Sequence, residues 1–577
     1  MKNKITLLII VMLTEVSIPA FAQAPSWLWA KKIGGPKGEY SNTIAIDSWG
    51  NLHVAGYFTN TADFDPGPGT FNMTTVSVDT ADFFIAKYDE AGNFIWAKQW
   101  GSHENDNIQK IALDAEGNIY GTGVNNADTL DFDPGPGVFN LLRSGFALKL
   151  DSSGNLLWAG SIGGSAHTIA VDTNGINDVY ITGAFCCSWQ DFDPGPAVYN
   201  LTPVSINSND IFVLKLDSAG NFRWAKSAGS TANNEAGDAI ALDQGGTRDI
   251  ITGGRLYGTA DFDPGPATYT INPAGDQNIF LWRLDSAGNF VWAEGVGSGY
   301  TENCQSITVD LAGCIYITGH YEFTTDFDPG PAVYNLSSVI GSYDAFILKL
   351  TASGNFIWAK SVGGSNWEFG HSNTVDASGN IYTTGRLFSS TADFDPGPAT
   401  FNLTAQLSDI YVLKLDSSGN FKWAVKAGGN HYEHSASIAL NASGYVYVTG
   451  IYKSYLMYFG TISLTNADFS NTWDDVFIAK LDTFLTFPTS INAEGSFGNG
   501  IFVFPNPATT ELIITNAEFG IESVEIWDVV GERVKRLTPA LSKGEGVRVD
   551  VSSLSAGIYF VKVKTKKGVS AAKFVKQ

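Results

Sequence analysis

The residues most capable of chemistry in this sequence are paired aspartates in a repeated hexapeptide. The sequence DFDPGP occurs six times, at intervals of 68, 60, 70, 65 and 67 residues. In an extended Asp-Phe-Asp segment, both carboxylates point to one side and the ring points to the other. Calcium prefers carboxylate and carbonyl oxygens, so each pair is a candidate calcium site together with turn carbonyls. The pairs are Asp63 with Asp65, Asp131 with Asp133, Asp191 with Asp193, Asp261 with Asp263, Asp326 with Asp328, and Asp393 with Asp395.

A structural interpretation of the same motif competes with calcium binding. The Phe can anchor a rigid hairpin while the Asp side chains cap backbone amides and Pro stiffens the turn. A seventh copy at residues 458–464 keeps Phe459 and Leu464 but lacks both Asp and both Pro. Packing therefore needs the apolar residues, and one repeat dispenses with the carboxylates. Both interpretations stay open, and calcium is the only candidate cofactor.

Support for catalysis is weaker. The sequence contains no HExxH, GxSxG or phosphate-binding glycine loop, and His431 with His434 is the only close histidine pair. Many acidic residues leave room for a carboxylate pair at glycosidase distance, so a polysaccharide-active hydrolase is the enzyme alternative. Several aromatic residues are candidates for stacking on sugars. They are Trp49, Trp189, Tyr300, Trp367 and Tyr432.

The motif lies in a repeat whose four segments read as β-strands, because each runs or alternates apolar residues between Gly and Asp turns. The segments resemble IALD, NIYITG, DIFVLKLD and a Trp-Ala pair, and the motif joins the second to the third. Turns such as Asp416-Ser-Ser-Gly-Asn420 predict hairpin connections. Four antiparallel strands in each of seven repeats predict a seven-bladed β-propeller. The motif loops are expected on one face, where binding residues commonly lie.

The two ends of the repeat region are complementary. The region begins with a lone fourth strand near Trp29, and its last repeat ends after a third strand near Asp482. We therefore expect the N-terminal strand to complete the seventh blade and close the ring without an exposed edge. The repeated segments resemble the bacterial SBBP propeller repeat over residues 24–483. That resemblance implies a propeller and assigns no chemistry.

Both termini carry targeting signals. Lys2 and Lys4, an apolar run and Ala20-Phe21-Ala22 predict a signal peptide over residues 1–22, cleaved between Ala22 and Gln23. No other segment is long and apolar enough for a transmembrane helix, so none is expected in the mature chain. Residues 23–483 form the predicted propeller and 484–500 a linker. Residues 501–577 are a predicted β-sandwich.

That C-terminal segment resembles the type A sorting domain of the type IX secretion system. The resemblance rests on motifs that contain Pro505, Asn506, Pro507, Gly531, Gly557 and Tyr559. It implies recognition by the type IX machinery, export, and a location that is secreted or attached to the outer cell surface.

Charge and cysteine content narrow the function further. Without the signal peptide the chain has 33 basic and 57 acidic residues, a formal charge of −24, which argues against nucleic acid as a partner. Cys304 and Cys314 flank one hairpin, and a bridge between them is one of three pairings. We interpret the chain as an all-β binding or adhesion scaffold for an unknown glycan or protein ligand. A hydrolase and a calcium-dependent glycan-binding protein are the alternatives.

Overall fold

A computed structural model describes residues 25–483 except 232, 233, 244, 276 and 469. It also describes residues 501–576 except 505–507, 517–520, 529–532, 538–546, 556, 566 and 567. These residues belong to two compact units, one within 24–484 and one within 485–577. Every helix or strand in the described ranges is a β-strand, which confirms the all-β prediction. No helix long and apolar enough to span a membrane occurs in them. The predicted signal peptide, its Ala22–Gln23 cleavage site and the linker lie outside the described residues.

The larger unit contains seven antiparallel sheets of four long strands each, numbered here in chain order. Their strands, in spatial order, are as follows: sheet 1, Glu39–Ile46, Leu52–Thr59, Ala81–Tyr88 and Phe94–Trp100; sheet 2, Asn107–Leu113, Ile119–Asp131, Asn140–Leu150 and Leu156–Ile162; sheet 3, Ser165–Val171, Val179–Cys186, Asn209–Leu216 and Phe222–Ala228; sheet 4, Ala236–Leu242, Ile250–Leu256, Asn278–Leu284 and Phe290–Val296; sheet 5, Glu302–Val309, Ile315–Glu322, Tyr343–Leu350 and Phe356–Gly364; sheet 6, Glu368–Val375, Ile381–Leu387, Asp409–Leu415 and Phe421–Ala427; sheet 7, Glu433–Leu440, Val446–Tyr452, Asp475–Asp482 and Ser26–Ile33.

The turns between strands form as the sequence predicts. Asp416 Oδ1 accepts hydrogen bonds from the amides of Ser418 (3.0 Å) and Asn420 (2.9 Å), and Gly419 has a φ of +79°. Such a φ favours Gly, since a side chain would strain the backbone there. The repeated Asp-x-x-Gly-Asn spacing therefore fixes where strand three ends and strand four begins.

In six of the seven repeats, the motif segment or its seventh-repeat equivalent forms a two-stranded hairpin between strands two and three. The hairpin of the sixth repeat is also hydrogen-bonded to the fourth strand of sheet 5. These motif hairpins pair Thr61–Asp63 with Asn72–Thr74, Gln190–Asp191 with Asn200–Leu201, Ala260–Asp261 with Thr270–Ile271, Thr324–Asp326 with Asn335–Ser337, Ala392–Asp393 with Asn402–Leu403, and Leu456–Phe459 with Ile462–Thr465. In sheet 2 the long second and third strands continue directly into the motif turn.

Consecutive sheets pack face to face, with the first strand of each against the first strand of the next. Buried apolar clusters lie between neighbouring sheets. Sheet 7 packs in the same way on sheet 1: Ser41 Oγ donates to the Gly450 carbonyl (3.1 Å), and Lys480 Nζ lies 2.8 Å from Glu90 Oε1. The N-terminal strand Ser26–Ile33 pairs antiparallel with Asp475–Asp482, as predicted.

The C-terminal unit contains two antiparallel sheets that share one apolar core. One has the order Ile501–Phe504, Glu511–Asn516 and Val547–Asp550; the other has the order Arg533–Leu537, Ile521–Asp528, Gly557–Thr565 and Gly568–Lys576. Tyr559 stacks on Phe574 in this core, with ring centroids 5.7 Å apart. Two sheets on one core agree with the expected sandwich.

Candidate functional site

The motif aspartates bind backbone amides of their own loops. Asp63 Oδ1 accepts hydrogen bonds from the amides of Asp65 (3.0 Å) and Phe71 (2.8 Å), and Asp65 Oδ1 accepts one from Gly67 (2.8 Å). The other five copies repeat these three bonds at the equivalent positions. One oxygen of each motif carboxylate therefore shapes the turn.

Each motif hairpin also joins two consecutive sheets. In sheet 6 the outgoing strand pairs Asp393 with Gly363 of the preceding sheet, while the ring of Phe401 lies 4.9 Å from that of Phe421 in its own fourth strand. The motif Phe is buried in every copy. These residues are Phe64, Phe132, Phe192, Phe262, Phe327, Phe394 and the seventh-repeat Phe459. The hairpins thus lie along the fourth strands and clamp adjacent sheets, instead of converging at one point.

The calcium hypothesis for these aspartates stays a prediction. Within the described residues, no three His, Cys, Asp or Glu side chains form a group that could hold a metal ion. A motif pair supplies two carboxylates, and each already has one oxygen bound to an amide. The second oxygen of each remains for a cation or for water.

A different set of carboxylates lies buried between the sheets. One member of each pair is an acid at the start of strand one of a sheet. It faces the other member, which lies at the start of strand three of the preceding sheet. Six junctions contain such a pair, which we call a junction pair, and all its members are buried. The pairs are Glu39 with Asp475, Asp106 with Asp82, Glu235 with Asp210, Glu302 with Asn278, Glu368 with Asp344, and Glu433 with Asp409.

Within these pairs, some oxygens have no hydrogen-bond partner among the described residues. Glu39 Oε1 and Asp475 Oδ1 are both unpartnered, while Glu39 Oε2 accepts from the Gly35 amide at 3.1 Å. Burial, with the facing acid as a further cause, raises the pKa of Asp82, Asp210, Glu368 and Glu433 to about 7. Two carboxylates in one buried site cannot both ionise without a large cost, so such a pair holds a proton near neutral pH.

The junction between sheets 2 and 3 lacks the pair. Ser144 and Gly164 occupy the two positions, and the Gly145 amide donates directly to the Gly164 carbonyl at 3.0 Å. Gly164 has a φ of +79°. Beside this junction lies a cleft of about 940 Å³, which we call the Trp189 cleft. Its walls include Asn126, Asn209, Asn234, Gln190 and Trp189, and Asp191 and Asp193 of one motif copy also line it.

A second cavity, of about 760 Å³, collects residues from sheets 1, 2, 5, 6 and 7. We call it the histidine cavity, because His320, His371 and His434 line it. The rings of His371 and His434 lie 4.3 Å apart, although 63 positions separate them in the chain. Tyr40 stacks on Tyr57 in the same cavity, with ring centroids 4.8 Å apart.

The three histidines of this cavity are neutral. Burial lowers the pKa of His320 to about 4 and of His371 to about 3, and that of His434 falls well below its ordinary value. His371 Nδ1 lies 2.7 Å from the Ser435 carbonyl oxygen, which can only accept a hydrogen bond. His371 therefore carries its proton on Nδ1, and Nε2 keeps a lone pair.

Two cations, Arg386 and Lys453, face the same cavity and form no direct ion pair with a described carboxylate. Asp474 attracts both of them from a longer distance. Arg386 donates from Nε to Ser408 Oγ (3.3 Å), and its guanidinium lies 4.6 Å from the centre of the Phe388 ring. Asp474, the one carboxylate among the lining residues, accepts a hydrogen bond from the Tyr40 hydroxyl at 3.0 Å.

Sequence reasoning missed the junction pairs and both cavities. The close pair His431 and His434 does not form the histidine contact; His434 instead meets His371 of the preceding repeat. The repeats carry the signal, since Glu39, Glu235, Glu302, Glu368 and Glu433 all stand eight positions before the Asp or Asn that follows strand one. The Cys304–Cys314 bridge, one of the three possible pairings, does not form: both cysteines are free, and the disulfide joins Cys186 to Cys187.

Comparison with known proteins gives distant relatives of this chain. The chain is 25% identical over 508 residues to an uncharacterized WD repeat-containing protein of Acanthamoeba polyphaga mimivirus, covering 74% of this chain and 36% of that protein. It is 26% identical over 247 residues to the regulatory protein FlaEY of Caulobacter vibrioides, covering 38% and 24%. The chain thus spans about a third and a quarter of the lengths of these two relatives.

Two solved structures are also similar. One, titled COPII on membranes, outer coat vertex, has a TM-score of 0.37 at 9% identity and covers 89% of this chain and all of that one. The other is Sqt1 from Chaetomium thermophilum, with a TM-score of 0.36 at 10% identity, covering 75% and 84%.

The C-terminal unit has a specific match. Of the predicted sorting residues, Pro505, Asn506, Pro507 and Gly531 lie outside the described residues, whereas Gly557 begins a strand and Tyr559 lies in the core. Residues 502–577 match the family model described as secretion system C-terminal sorting domain. The C-terminal unit is therefore a sorting domain of the type IX secretion system, and the chain is a protein that this machinery exports.

Proposed function

We propose that residues 23–483 form a closed seven-bladed β-propeller of SBBP type, released from a signal peptide at Ala22–Gln23 and joined through residues 484–500 to the sorting domain at 501–577. The seven sheets become its blades. Strand Ser26–Ile33 completing sheet 7 and the Ser41–Gly450 hydrogen bond support closure. A closed ring leaves no unpaired edge between the first and last blades.

The propeller acts as an exported binding scaffold, secreted or held at the outer cell surface, and its ligand site is the histidine cavity. The observation that carries this proposal is the local excess of positive charge: Arg386 and Lys453 line the cavity with a single carboxylate, Asp474, in a protein of net charge −23. Two cations to one carboxylate is the reverse of the balance in the chain as a whole. A cavity of this size that gathers several polar groups and aromatic rings from separate strands suits a small ligand.

The chemistry of the walls favours an acidic saccharide. Arg386 and Lys453 would hold a carboxylate or sulfate group, for which charge-assisted hydrogen bonds are strong. The aromatic rings of Tyr40, Tyr57 and Phe369 would face the sugar ring, and His371 Nε2 would accept a hydroxyl hydrogen bond. Of the lining residues, Asp474 is the single carboxylate, which favours binding over two-carboxylate hydrolysis.

An array of acidic and neutral polysaccharides, each also assayed for hydrolysis, tests this function. We expect retention of uronate or sulfated glycans without turnover. The double variant Arg386→Gln/Lys453→Gln should weaken binding about 100-fold, as for the loss of two charged hydrogen bonds. Lys98→Gln, a lysine of sheet 1 outside the cavity, is the matched control. Turnover without stable binding, or equal affinity of the double variant and the wild type, would overturn the proposal.

Calcium binding by the motif loops is a separate proposal. Calorimetry with Ca²⁺ should then give heat and a rise in melting temperature, because a ligand bound only by the folded state stabilises it. The variant Asp393→Asn/Asp395→Asn should reduce the stoichiometry. A thermogram without heat, together with an unchanged melting temperature, would leave these carboxylates with a structural role.

A further inference from the structure

The junction between sheets 2 and 3 departs from the repeat in length as well as in chemistry. Twelve positions separate Phe139 from Asp151, whereas eighteen separate the equivalent Phe71 from Asp89. The missing residues include the segment that returns from the motif hairpin to strand three in sheet 1. In its absence the strand Asn140–Leu150 is continuous, and the space that this segment fills elsewhere becomes the Trp189 cleft.

The walls of the Trp189 cleft are rich in amide groups with unused hydrogen-bonding capacity. Asn126 donates from Nδ2 to the Asn105 carbonyl (2.6 Å), which leaves its Oδ1. Asn209 Nδ2 donates to Asn234 Oδ1 (3.3 Å), and among the described residues Asn209 Oδ1 and Asn234 Nδ2 have no further hydrogen-bond partner. The cleft therefore offers both donors and acceptors, the combination that sugar hydroxyls require.

Trp189 supplies a flat apolar surface at the same place. Trp189 is 61% exposed, so much of its ring is open to a ligand. The turn that precedes it has a constrained backbone: Cys186 and Cys187 form a disulfide, Cys187 has a φ of +76°, and the Ser188 amide donates to the Cys186 carbonyl at 2.9 Å. Gln190 Nε2 donates to the same carbonyl at 2.9 Å. These bonds fix the backbone next to Trp189, so less backbone freedom is lost when a ligand binds.

The charges of this cleft differ from those of the histidine cavity. Arg255 lies 3.0 Å from Asp238, which also contacts His167 at 3.1 Å, so the cation has a partner. Asp191 and Asp193 add negative charge at the wall, which disfavours an acidic ligand. From the open junction, the amides and the exposed ring, we propose that the Trp189 cleft is a second binding site and takes an uncharged oligosaccharide.

An array of neutral hexose oligosaccharides, followed by calorimetry with the one best retained, tests this site on the full exported chain. Trp189→Ala should weaken binding about tenfold, the size expected for the loss of a stacked ring. Trp473→Ala is the matched control, because that ring is also exposed and lies outside the cleft. Arg386→Gln/Lys453→Gln should bind the neutral ligand like the wild type, which separates this site from the histidine cavity.

A second variant closes the cleft. Replacement of residues 142–144 by residues 74–82 of the first repeat restores the return segment and should abolish neutral binding. If this graft fails to fold, the Trp189→Ala measurement alone decides. Retention of no neutral oligosaccharide at millimolar concentration would overturn the proposal, and so would equal affinity of Trp189→Ala and the wild type.

Discussion

The junction between sheets 5 and 6 and the junction between sheets 2 and 3 solve one packing problem in different ways. The first buries Glu368 against Asp344, and the Ser389 amide donates to Glu368 Oε1 at 2.9 Å. The second places Ser144 and Gly164 there, bonds backbone to backbone, and leaves a cleft of about 940 Å³. A repeat can therefore exchange a buried polar pair for an open site while its strands remain the same.

The comparison also separates framework from function. Six junctions keep the pair and resemble one another, so their carboxylates are best explained as parts of the frame. The exceptional junction combines an exposed Trp, free amides and a braced turn. Equivalent positions that have the same residue types in most repeats are explained by packing. A repeat that differs at those positions is a candidate for a function that the other repeats lack.

The largest effect that we expect from the junction pairs is a decrease in the free energy of unfolding with rising pH. Five junction pairs contain two acids, and burial raises several of these pKa values to about 7. A carboxyl group whose pKa is raised in the folded state binds its proton more tightly there than in the unfolded chain. It therefore stabilises the fold fully below its unfolded pKa near 4, and this contribution is lost as the pH rises through 7. Because one pKa unit corresponds to about 1.4 kcal/mol, even one unit per pair amounts to several kcal/mol.

Chemical denaturation between pH 6.5 and pH 8 measures this effect. We expect the free energy of unfolding to fall across this range. Two other sets of groups oppose the trend only at lower pH. Burial lowers the pKa of His320 to about 4 and of His371 to about 3, so the unfolded state binds more protons at these histidines only below about pH 6.5. Although burial acts the other way, hydrogen bonds from Lys422 and Asn420 lower the pKa of Asp416 to about 2. A stability that is flat or rises between pH 6.5 and pH 8 would contradict the shared-proton description of the junctions.

The next largest effect is the removal of one member of a junction pair. Glu368→Ala leaves Asp344 without its partner and the Ser389 amide without its acceptor, so we expect a loss of about 3 kcal/mol. Glu368→Gln keeps an amide oxygen at the same place and should cost less. Glu104→Ala, an exposed acid, serves as the control and should change stability by less than about 0.5 kcal/mol. Thermal unfolding checks this. If Glu368→Ala and Glu104→Ala had the same melting temperature, the junction pairs would have no stabilising role.

Much of the fold could be predicted from the sequence because the strands and turns are local and recur. Alternating apolar residues, Asp-x-x-Gly-Asn turns and the lone strand near Trp29 predict the sheets and the pairing of Ser26–Ile33 with Asp475–Asp482. The motif Phe also lies inward as expected, because its alternation with Asp is a local property.

The sites could not be predicted in the same way, because their members come from different repeats. Glu368 meets Asp344, and His434 meets His371, only after two sheets pack together. The carboxylates of the conspicuous DFDPGP motif mainly shape turns. The sequence features that mark the Trp189 cleft are a shorter repeat, with a 60-residue interval after Asp131, and Ser144 at a position where the other repeats have Asp or Asn.

The junction between sheets 4 and 5 contains one acid instead of two, because Asn278 faces Glu302. Asn has the shape of a protonated Asp, so Asp344→Asn should cost no more than about 1 kcal/mol at pH 5 and should reduce the pH dependence. The reverse change, Asn278→Asp, should add pH dependence at its own junction. The comparison of unfolding free energies at pH 5 and pH 8 for both variants checks this. If Asp344→Asn left the pH dependence unchanged, the proton would have to reside elsewhere.

The smallest expected effect comes from putting the acid of the repeat back into the exceptional junction. In Ser144→Asp the new carboxylate meets Gly164 instead of a Glu, and the adjacent cleft lets water reach it, so neither burial nor a facing charge raises its pKa. The loss of the Ser144 Oγ hydrogen bond to the Ile162 carbonyl should cost about 0.5–1 kcal/mol, equally at pH 5 and pH 8. Denaturation at both values tests this equality. A pH-dependent loss like that at a junction with two buried acids would mean that water does not reach the space beside Ser144. The junction between sheets 2 and 3 would then not differ from the others in its access to water.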